Sequence, residues 1–561
     1  MLNGTLLKPL PKPILPSCFI ILTLKQPPPT EKTILKALIV DALASGKGTR
    51  KTTRDVIGAG PRTVAGVLEA HGHETRIAPV ELYLGGRRGE AEYDALLVSG
   101  MTSDLQAIQR TVKKWRRSSE GPVLLGGPAA SEPERVLSKT GADLAIVGES
   151  EETLAELFSI GLDALDGGGF EDIRGVAYRM RDEVRVNPLR PVQGRDVFER
   201  YRPSTRRIKD YPLHYAARVY VEAVRGCSNY HRARLGPLGD ACTYCERCTT
   251  AGLEERYDCP VGIPPGCGYC SVPSLYGPPK SRPAKTVLDE ARRLLDLGVR
   301  RIVLSAPGLL DYGRDLLVEP EPLTDPRSPE PNYEALEELL ADLSALPRVA
   351  EGEASVMAEN IKAALVTERA ADLLGVYLRG TPINLGFETG SDSHSAALGR
   401  PDTPSETLTA LRRLKKVGLK PYVYFIHGLP GQNEENVSET VQTIHEAVRL
   451  GSERVILYRF TSLPMSAFAG CPSGPPAARD PLSRRIWEAA REANRGRKEA
   501  MVGQRLRVVV AEPYDRDRRY MVAYPLRHGP VVLLEGAKGR EGEILDVTVA
   551  DVASDRMVRA R

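Results

Sequence analysis

The chain has 561 residues, of which 42% are hydrophobic and 27% charged, and its net charge is +4. That length exceeds what one core can organise, and the composition excludes disordered, collagen-like and small disulfide-stapled classes. So small a charge excess names no partner. No run approaches the roughly 18–20 apolar residues of a membrane helix, so no membrane partner is expected.

Residues 1–32 carry a short apolar run, Ile14 to Leu24, flanked by prolines and lacking a clear small-residue cleavage site; they are read as a disordered leader. From residue 33 short apolar runs ("KALIVDALA", "YDALLVSGM", "GPVLLGG", "DLAIVGES") alternate with amphipathic, helix-length segments. That alternation predicts a parallel sheet with helices on both faces, a Rossmann-like domain over residues 33–200 with a hairpin appendage at Ile173 to Pro188. Its turns at Gly126-Gly127-Pro128 and Gly148-Glu149 fall where such sheets hold ligands. The long polar loop Ser45 to Pro61 lacks the spacing of a phosphate loop and reads as a solvated or substrate-facing loop.

A second alternating series occupies residues 210–475. Strands are predicted at Val219 to Arg225, near Val349 to Val356, and in "RRIVLSAPG", "INLGFETG", "PYVYFIHGLPG" and "ERVILYRF". Helices are predicted over 284–297, 333–346, 361–374, 405–418 and 435–450. Six strands with intervening helices make a parallel β/α barrel or part of one, with chemistry at the C-terminal ends of the strands. Residues 481–507 read as an arginine-rich linker, and four β-branched runs within 501–561 predict a small antiparallel β-barrel.

Seven of the nine cysteines lie between Arg225 and Pro273. Cys267-Gly-Tyr-Cys270 has the spacing that lets two thiolates meet one metal. Cys242, Cys245, Cys248 and Cys259 follow C-x2-C-x2-C-x10-C-P, a spacing that suits either a second iron–sulfur cluster or a structural zinc. Thiols gathered this way in a large chain indicate metal binding rather than a disulfide framework, and so a cytoplasmic setting. Cys18 and Cys471 stand alone.

"RGCSNY", then an insertion over residues 228–266, then "PGCGYCSVPSLYG" resembles the C-x-x-x-C-x-x-C motif of the radical SAM superfamily with its first gap split. Ser281 to Gly313 is similar to the segment that follows this motif in radical SAM methylthiotransferases. "NLGFETGSD" resembles their strand with a SAM-ribose contact, which implicates Glu388. "IHGLPGQNEENVSETV" is similar to their segment near the SAM adenine, which implicates Gly428, Pro430 and Gly431. The resemblance implies that Cys227, Cys267 and Cys270 bind three irons of a [4Fe-4S] cluster. Its fourth iron would hold S-adenosyl-L-methionine for cleavage to a 5'-deoxyadenosyl radical, with ferredoxin or flavodoxin as electron donor. It names no catalytic side chain.

"GREGEILDVTVADV" resembles the TRAM domain, an RNA-binding barrel, with Arg505, Arg507, Arg516, Arg518 and Arg519 as expected phosphate contacts. The N-terminal segments "LLGGPAASEPERVL" and "ADLAIVGESEETLAEL" are similar to the cobalamin-binding domain of another radical SAM branch. The cobalt-ligating D-x-H-x-x-G signature is absent, and His71 and His73 stand at a helix end. This counts against cobalamin as a cofactor. The expected function is methylthiolation or another radical modification of RNA, with tRNA as the substrate class. The alternatives are a cobalamin-type methyltransferase of a small molecule and a non-catalytic metal-cluster RNA-binding protein.

Overall fold

The computed structural model describes residues 34–51, 53–86, 92–161, 169–181, 183–235, 242 and 245–561. The expected leader lies outside the described residues. Leu35–Arg561 form one unit, and among the described residues no helix is long and apolar enough to cross a membrane.

In the first sheet β1 (Lys36–Asp41), β2 (Glu74–Pro79), β3 (Ala95–Ser99), β4 (Val123–Gly126) and β5 (Leu144–Ile146) run parallel. β6 (Val176–Met180) and β7 (Glu183–Val186) extend its edge as an antiparallel hairpin, giving the order β2-β1-β3-β4-β5-β6-β7. The parallel part has the 2-1-3-4-5 order, whose switch point between β1 and β3 opens a ligand crevice at the C-terminal edge. Central strands of such sheets are apolar on both faces, and Ala37, Leu38, Ile39 and Val40 of β1 are all buried.

Six further parallel strands form a partial barrel: β8 (Arg218–Glu222), β9 (Arg301–Ser305), β10 (Ser355–Ala358), β11 (Pro382–Glu388), β12 (Lys420–His427) and β13 (Arg454–Arg459). The third strand changes partner at Glu359, whose N–H donates to the Leu304 carbonyl while its own carbonyl accepts from Asn384 N–H. The outer edge of β8 pairs with Val56–Ile57, so the polar loop after β1 contributes a short strand to the barrel.

Three sequence expectations shift here. Pro347–Ala350 is a helical turn, so the strand predicted from Val349 begins at Ser355. The helix predicted over 361–374 begins only at Glu368, because Asn360–Ile361 pairs with β11 and Thr367 caps the helix by accepting from Ala370 N–H. The supposed linker contains a helix, Pro481–Glu499: Asp480 accepts from Ser483 N–H, Pro481 opens the first turn, and Ile486, Ala489 and Ala490 are buried.

The last strands, β14 (Arg505–Pro513), β15 (Tyr520–Pro525), β16 (Val531–Glu535), β17 (Ile544–Val552) and β18 (Met557–Ala560), close a barrel in the order 14-15-16-18-17. Its β16–β18 seam is parallel, a correction to the all-antiparallel expectation. This small barrel packs at the N-terminal ends of β8 to β10: Tyr215 Oη donates to Ala511 O at 2.8 Å, Ser355 Oγ donates to Leu526 O, and Arg301 lies 5.6 Å from the Tyr524 ring centre. It therefore stands at the opposite end of the large barrel from the cysteine loop.

Candidate cluster and cofactor site

The cysteine loop leaves β8 through Val224–Arg225, which pairs antiparallel with Lys280–Ser281. This pairing fastens both ends of the loop, so a long insertion adds little closure entropy to the fold. Gly226 has φ +89°, and a Cβ there would stand 2.2 Å from Pro278 O, so only glycine admits this approach. The next residue, Cys227, donates its N–H to Gly277 O at 3.0 Å.

Asn229 binds the thiols together. Its backbone N–H donates to Cys227 Sγ at 3.5 Å, and its Nδ2 donates to Cys267 Sγ at 3.3 Å and Gly399 O at 3.0 Å. Burial pushes the Cys267 thiol up, and burial followed by the neighbouring Cys267 pushes Cys270 up to about 12. Cys227 adds to both effects, which places the three thiols in one electrostatic neighbourhood. Two cations flank them: Arg400 lowers the Cys267 thiol, and the Lys362 ammonium, raised chiefly by Asp311 against its burial, also feels Cys227. Lys362 is held by Asp311, which also accepts from Ser228 Oγ at 3.0 Å and Arg314 Nη1 at 2.6 Å. Among the described residues no three Cys, His, Asp or Glu side chains already have metal-coordinating geometry. Three sulfurs with adjacent cations nevertheless fit the donor chemistry of an iron–sulfur cluster, whose binding relieves the cost of buried thiolates.

Arg400 joins this loop to the end of β11. It donates to Tyr269 Oη at 2.7 Å, Glu388 Oε1 at 3.3 Å and Gly386 O at 2.6 Å. A register shift between Gly386 and Glu388 and a φ of +63° at Glu388 re-aim that carboxylate, which burial raises and Arg400 lowers. A Cβ at Gly386 would stand 2.5 Å from Glu388 Oε1. After β12, Gly428 and Gly431 have φ +73° and +78°, and Pro430 O accepts from His394 Nε2 at 2.8 Å. Glu388, Gly428, Pro430 and Gly431 thus all lie where β11 and β12 end, on the side where the thiol loop leaves β8. Arg400 and Asn229 escaped the sequence reading, since neither belongs to a spaced motif.

The other four thiols form a separate group. Burial raises the Cys242 thiol, with Cys248, Cys245 and Cys259 acting in the same direction. Buried Arg232 organises the insertion by donating to Ile263 O at 2.8 Å, Tyr257 O at 3.1 Å and Arg256 O at 3.2 Å. Its guanidinium also feels Cys259 and Cys248. Cys259 therefore belongs with this group, and Cys227 with Cys267 and Cys270.

Between the C-terminal edge of the first sheet and the thiol loop lies a cavity of about 300 Å³. One wall comprises Gly60, Ser99, Gly126, Gly127 and Gly148; the other comprises Val224 to Gly226, Tyr276, Ser305 and Pro307. Gly126 and Gly148 have open space where a Cβ would stand, and Gly127 requires its φ of +78°. A glycine-lined edge facing the cluster side suits a large flat cofactor. In the loop after β1, Asp41-Ala42-Leu43-Ala44-Ser45-Gly46 keeps the D-x-H-x-x-G frame with leucine at the histidine position, a correspondence the sequence reading missed. His71 stacks on Tyr201, and His73 packs on Phe158 and accepts from Leu35 N–H, so both histidines are engaged in packing. The cavity fits one edge of a cobalamin, which would take no histidine from this domain.

The radical SAM superfamily profile matches residues 259–444, and the B12 binding domain profile matches residues 49–158. An uncharacterized protein of Methanopyrus kandleri is 44% identical over 525 residues, covering 93% of this chain and 95% of its own. A tRNA-2-methylthio-N(6)-dimethylallyladenosine synthase of Lawsonia intracellularis is 31% identical over 186 residues, 32% of this chain and 37% of its own. The fold is similar to that of the radical SAM methyltransferase TsrM of Kitasatospora setae, solved with cobalamin and a [4Fe-4S] cluster. That likeness has TM-score 0.54 and 15% identity, over 78% of this chain and 77% of the other. The B12 profile corrects the expectation against cobalamin: the histidine of the signature is absent, while the B12 binding domain itself is matched over residues 49–158. The chain belongs to the same family as the Methanopyrus protein and is a radical SAM superfamily enzyme with a B12 binding domain.

Proposed function

We propose that this enzyme is a cobalamin-dependent radical SAM methyltransferase whose substrate is an RNA base. The observation that carries the class is the glycine-lined cavity shared by the first sheet and the base of the thiol loop. Cys227, Cys267 and Cys270 would hold a cluster able to supply the electron for SAM cleavage, and a cobalamin in the cavity would supply methyl-carrying chemistry. Glu388, its carboxylate held by Arg400 and the register shift, would accept hydrogen bonds from the ribose hydroxyls of SAM, while Gly428, Pro430 and Gly431 would shape the adenine side.

A planar aromatic substrate suits the inner face of the strands. Tyr424 and Tyr458 stack there with ring centres 5.7 Å apart and planes 12° from parallel, and Tyr458 is 53% exposed. Tyr220 and Glu359 interact with this pair. Methyl rather than methylthio transfer is favoured by the second thiol group. Four thiolates would complete a zinc site, or would cap all four irons of a cluster, and in either case would leave no open position for a sulfur donor. RNA is favoured by the partial match to a tRNA-modifying enzyme and by the TRAM-like resemblance of the final barrel.

Mass spectrometry of tRNA nucleosides from cells lacking the protein tests this reading. Loss of one methylated nucleoside is the expected result. Loss of a methylthio nucleoside overturns the methyl assignment, and an unchanged nucleoside profile overturns tRNA as the substrate.

A further inference from the structure

A second cavity, of about 570 Å³, lies at the other end of the molecule, between the N-terminal ends of the barrel strands and the C-terminal barrel. Gly352 and Gly380 precede β10 and β11, Lys420 opens β12, Glu453 precedes β13, and Arg505 and Arg507 open β14. Since β12 has eight residues at about 3.3 Å each, this cavity stands roughly 25 Å from the thiol end of the barrel. It is no part of the cofactor site.

Its lining holds six lysine or arginine side chains, Lys415, Lys420, Arg497, Arg505, Arg507 and Arg527, against the single carboxylate of Glu453. Glu453 is fully used. It accepts from Lys415 at 2.5 Å, from Lys420 at 3.3 Å and from Arg497, and His528 Nε2 stands 3.6 Å away. Burial opposes its charge, yet His528, Lys415 and Arg497 hold its carboxyl far below the usual range. One ion-pair cluster would need no more cations than these. Among the described residues Arg505, Arg507 and Arg527 form no ion pair, although Asp546 stands across the strand pair from Arg507; Arg527 donates only to Arg379 O at 3.4 Å. Arg497 Nε is buried without a hydrogen-bond partner. Gathering surplus cations around a cavity costs self-repulsion, and a polyanion offsets it.

We propose that this cavity binds a phosphate-bearing ligand, gripped by Arg505, Arg507 and Arg527 at the rim and by Lys420 and Arg497 within. A volume of this size admits a di- or triphosphate group. The same chemistry serves a free phosphorylated compound or the backbone of an RNA lying across the rim. The inference does not depend on the reaction proposed above, since the cavity shares no residue with that site.

Calorimetric titration of the full-length, cofactor-loaded protein with inorganic tripolyphosphate at physiological salt tests the site, with bulk tRNA as a second probe. Saturable tripolyphosphate binding is expected, weakened about tenfold or more in an Arg505→Glu/Arg507→Glu variant. Arg527→Gln, an exposed single change, provides a second variant, and thermal midpoints check that both remain folded. Should tRNA affinity fall in the same variants and tripolyphosphate compete with it, the ligand is an RNA backbone. Should tRNA bind wild type and variants alike while tripolyphosphate discriminates, the ligand is a free phosphate compound. No tripolyphosphate binding to the wild type, or equal binding to all three proteins, overturns the proposal.

Discussion

Arg225 donates to Glu149 at 3.0 Å, across the seam between the thiol loop and the end of the first sheet. The same guanidinium meets Glu151 at 2.7 Å and Glu222 at 2.9 Å and lies 4.6 Å from the Phe198 ring centre, while Lys280 reaches Glu149 at 2.9 Å. Arg225 is two residues from Cys227, so this network fixes where the thiol loop starts relative to the cavity above it.

Replacing Arg225 by leucine leaves buried Glu149 and Glu151 and half-buried Glu222 with Lys280 and, beside Glu222, Arg282 as the remaining cations. Removing one partner from such a network costs about 3–5 kcal/mol. The variant is expected to have a lower urea midpoint and to lose cobalt on gel filtration while keeping the fold of the C-terminal barrel. An unchanged midpoint would show that the network contributes little to joining the two domains.

The two thiol groups are expected to lose metal independently. Cys270→Ser removes a ligand from the first group and abolishes release of 5'-deoxyadenosine from SAM. Cys248→Ser removes metal from the second group and leaves SAM cleavage measurable. Metal analysis of the wild type distinguishes a second cluster, at about eight irons per chain, from zinc, at about four irons and one zinc. Loss of SAM cleavage in both variants would show that the groups are coupled.

The parallel sheets were legible in the sequence because buried strands there are unbroken apolar runs such as Leu38 to Val40, and the helices between them carry a clear period. Spacing pairs Cys267 with Cys270 and sets Cys242, Cys245, Cys248 and Cys259 apart, whereas Cys227 joined the first pair only through the resemblance. What spacing cannot reveal is a side chain brought in by the fold. Arg400 reaches Tyr269 and Glu388 only because a turn of the cysteine loop and a strand end, 131 and 12 residues away, converge on it. The arginine-rich stretch after Pro481 read as a linker because three small or apolar buried positions, Ile486, Ala489 and Ala490, are a faint stripe among so many charges. The five arginines expected as phosphate contacts are divided: Arg505 and Arg507 stand at the start of β14, and Arg516, Arg518 and Arg519 in the turn after it, where Arg519 pairs with Asp517 at 2.7 Å. Sequence proximity concealed a separation of about 30 Å, the length of a nine-residue strand.

Leu43 occupies the histidine position of the D-x-H-x-x-G frame, and the histidines of the first domain, His71 and His73, pack against Tyr201 and Phe158. Cobalt(II) in the loaded protein is therefore expected to show no splitting from a histidine nitrogen of this domain in its paramagnetic resonance spectrum. The check is labelling with ¹⁵N-histidine, which should leave the spectrum unchanged. A spectrum that changes on labelling would mean that a histidine from elsewhere in the chain reaches the metal.

Lys498, near the end of the Pro481–Glu499 helix, is 8% exposed and donates to Asn494 O at 3.1 Å. Burial, reinforced by Arg454, lowers its ammonium from 10.5 to about 8, with Asp555 opposing. The folded state thus binds this proton less tightly than the unfolded chain does. Below pH 8 the whole cost of burying the charge is present; it fades as pH rises from 8 to 10.5, where the lysine is neutral when folded. Stability should therefore increase across that interval by an amount attributable to this residue. Lys498→Met keeps the apolar stem and removes the charge, so it is expected to raise stability at pH 7 by on the order of 1 kcal/mol. It should also flatten the rise between pH 8 and 10.5. Urea denaturation of both proteins at several pH values measures the difference; a variant less stable than wild type at pH 7 would show that the Asn494 hydrogen bond outweighs the desolvation of the ammonium.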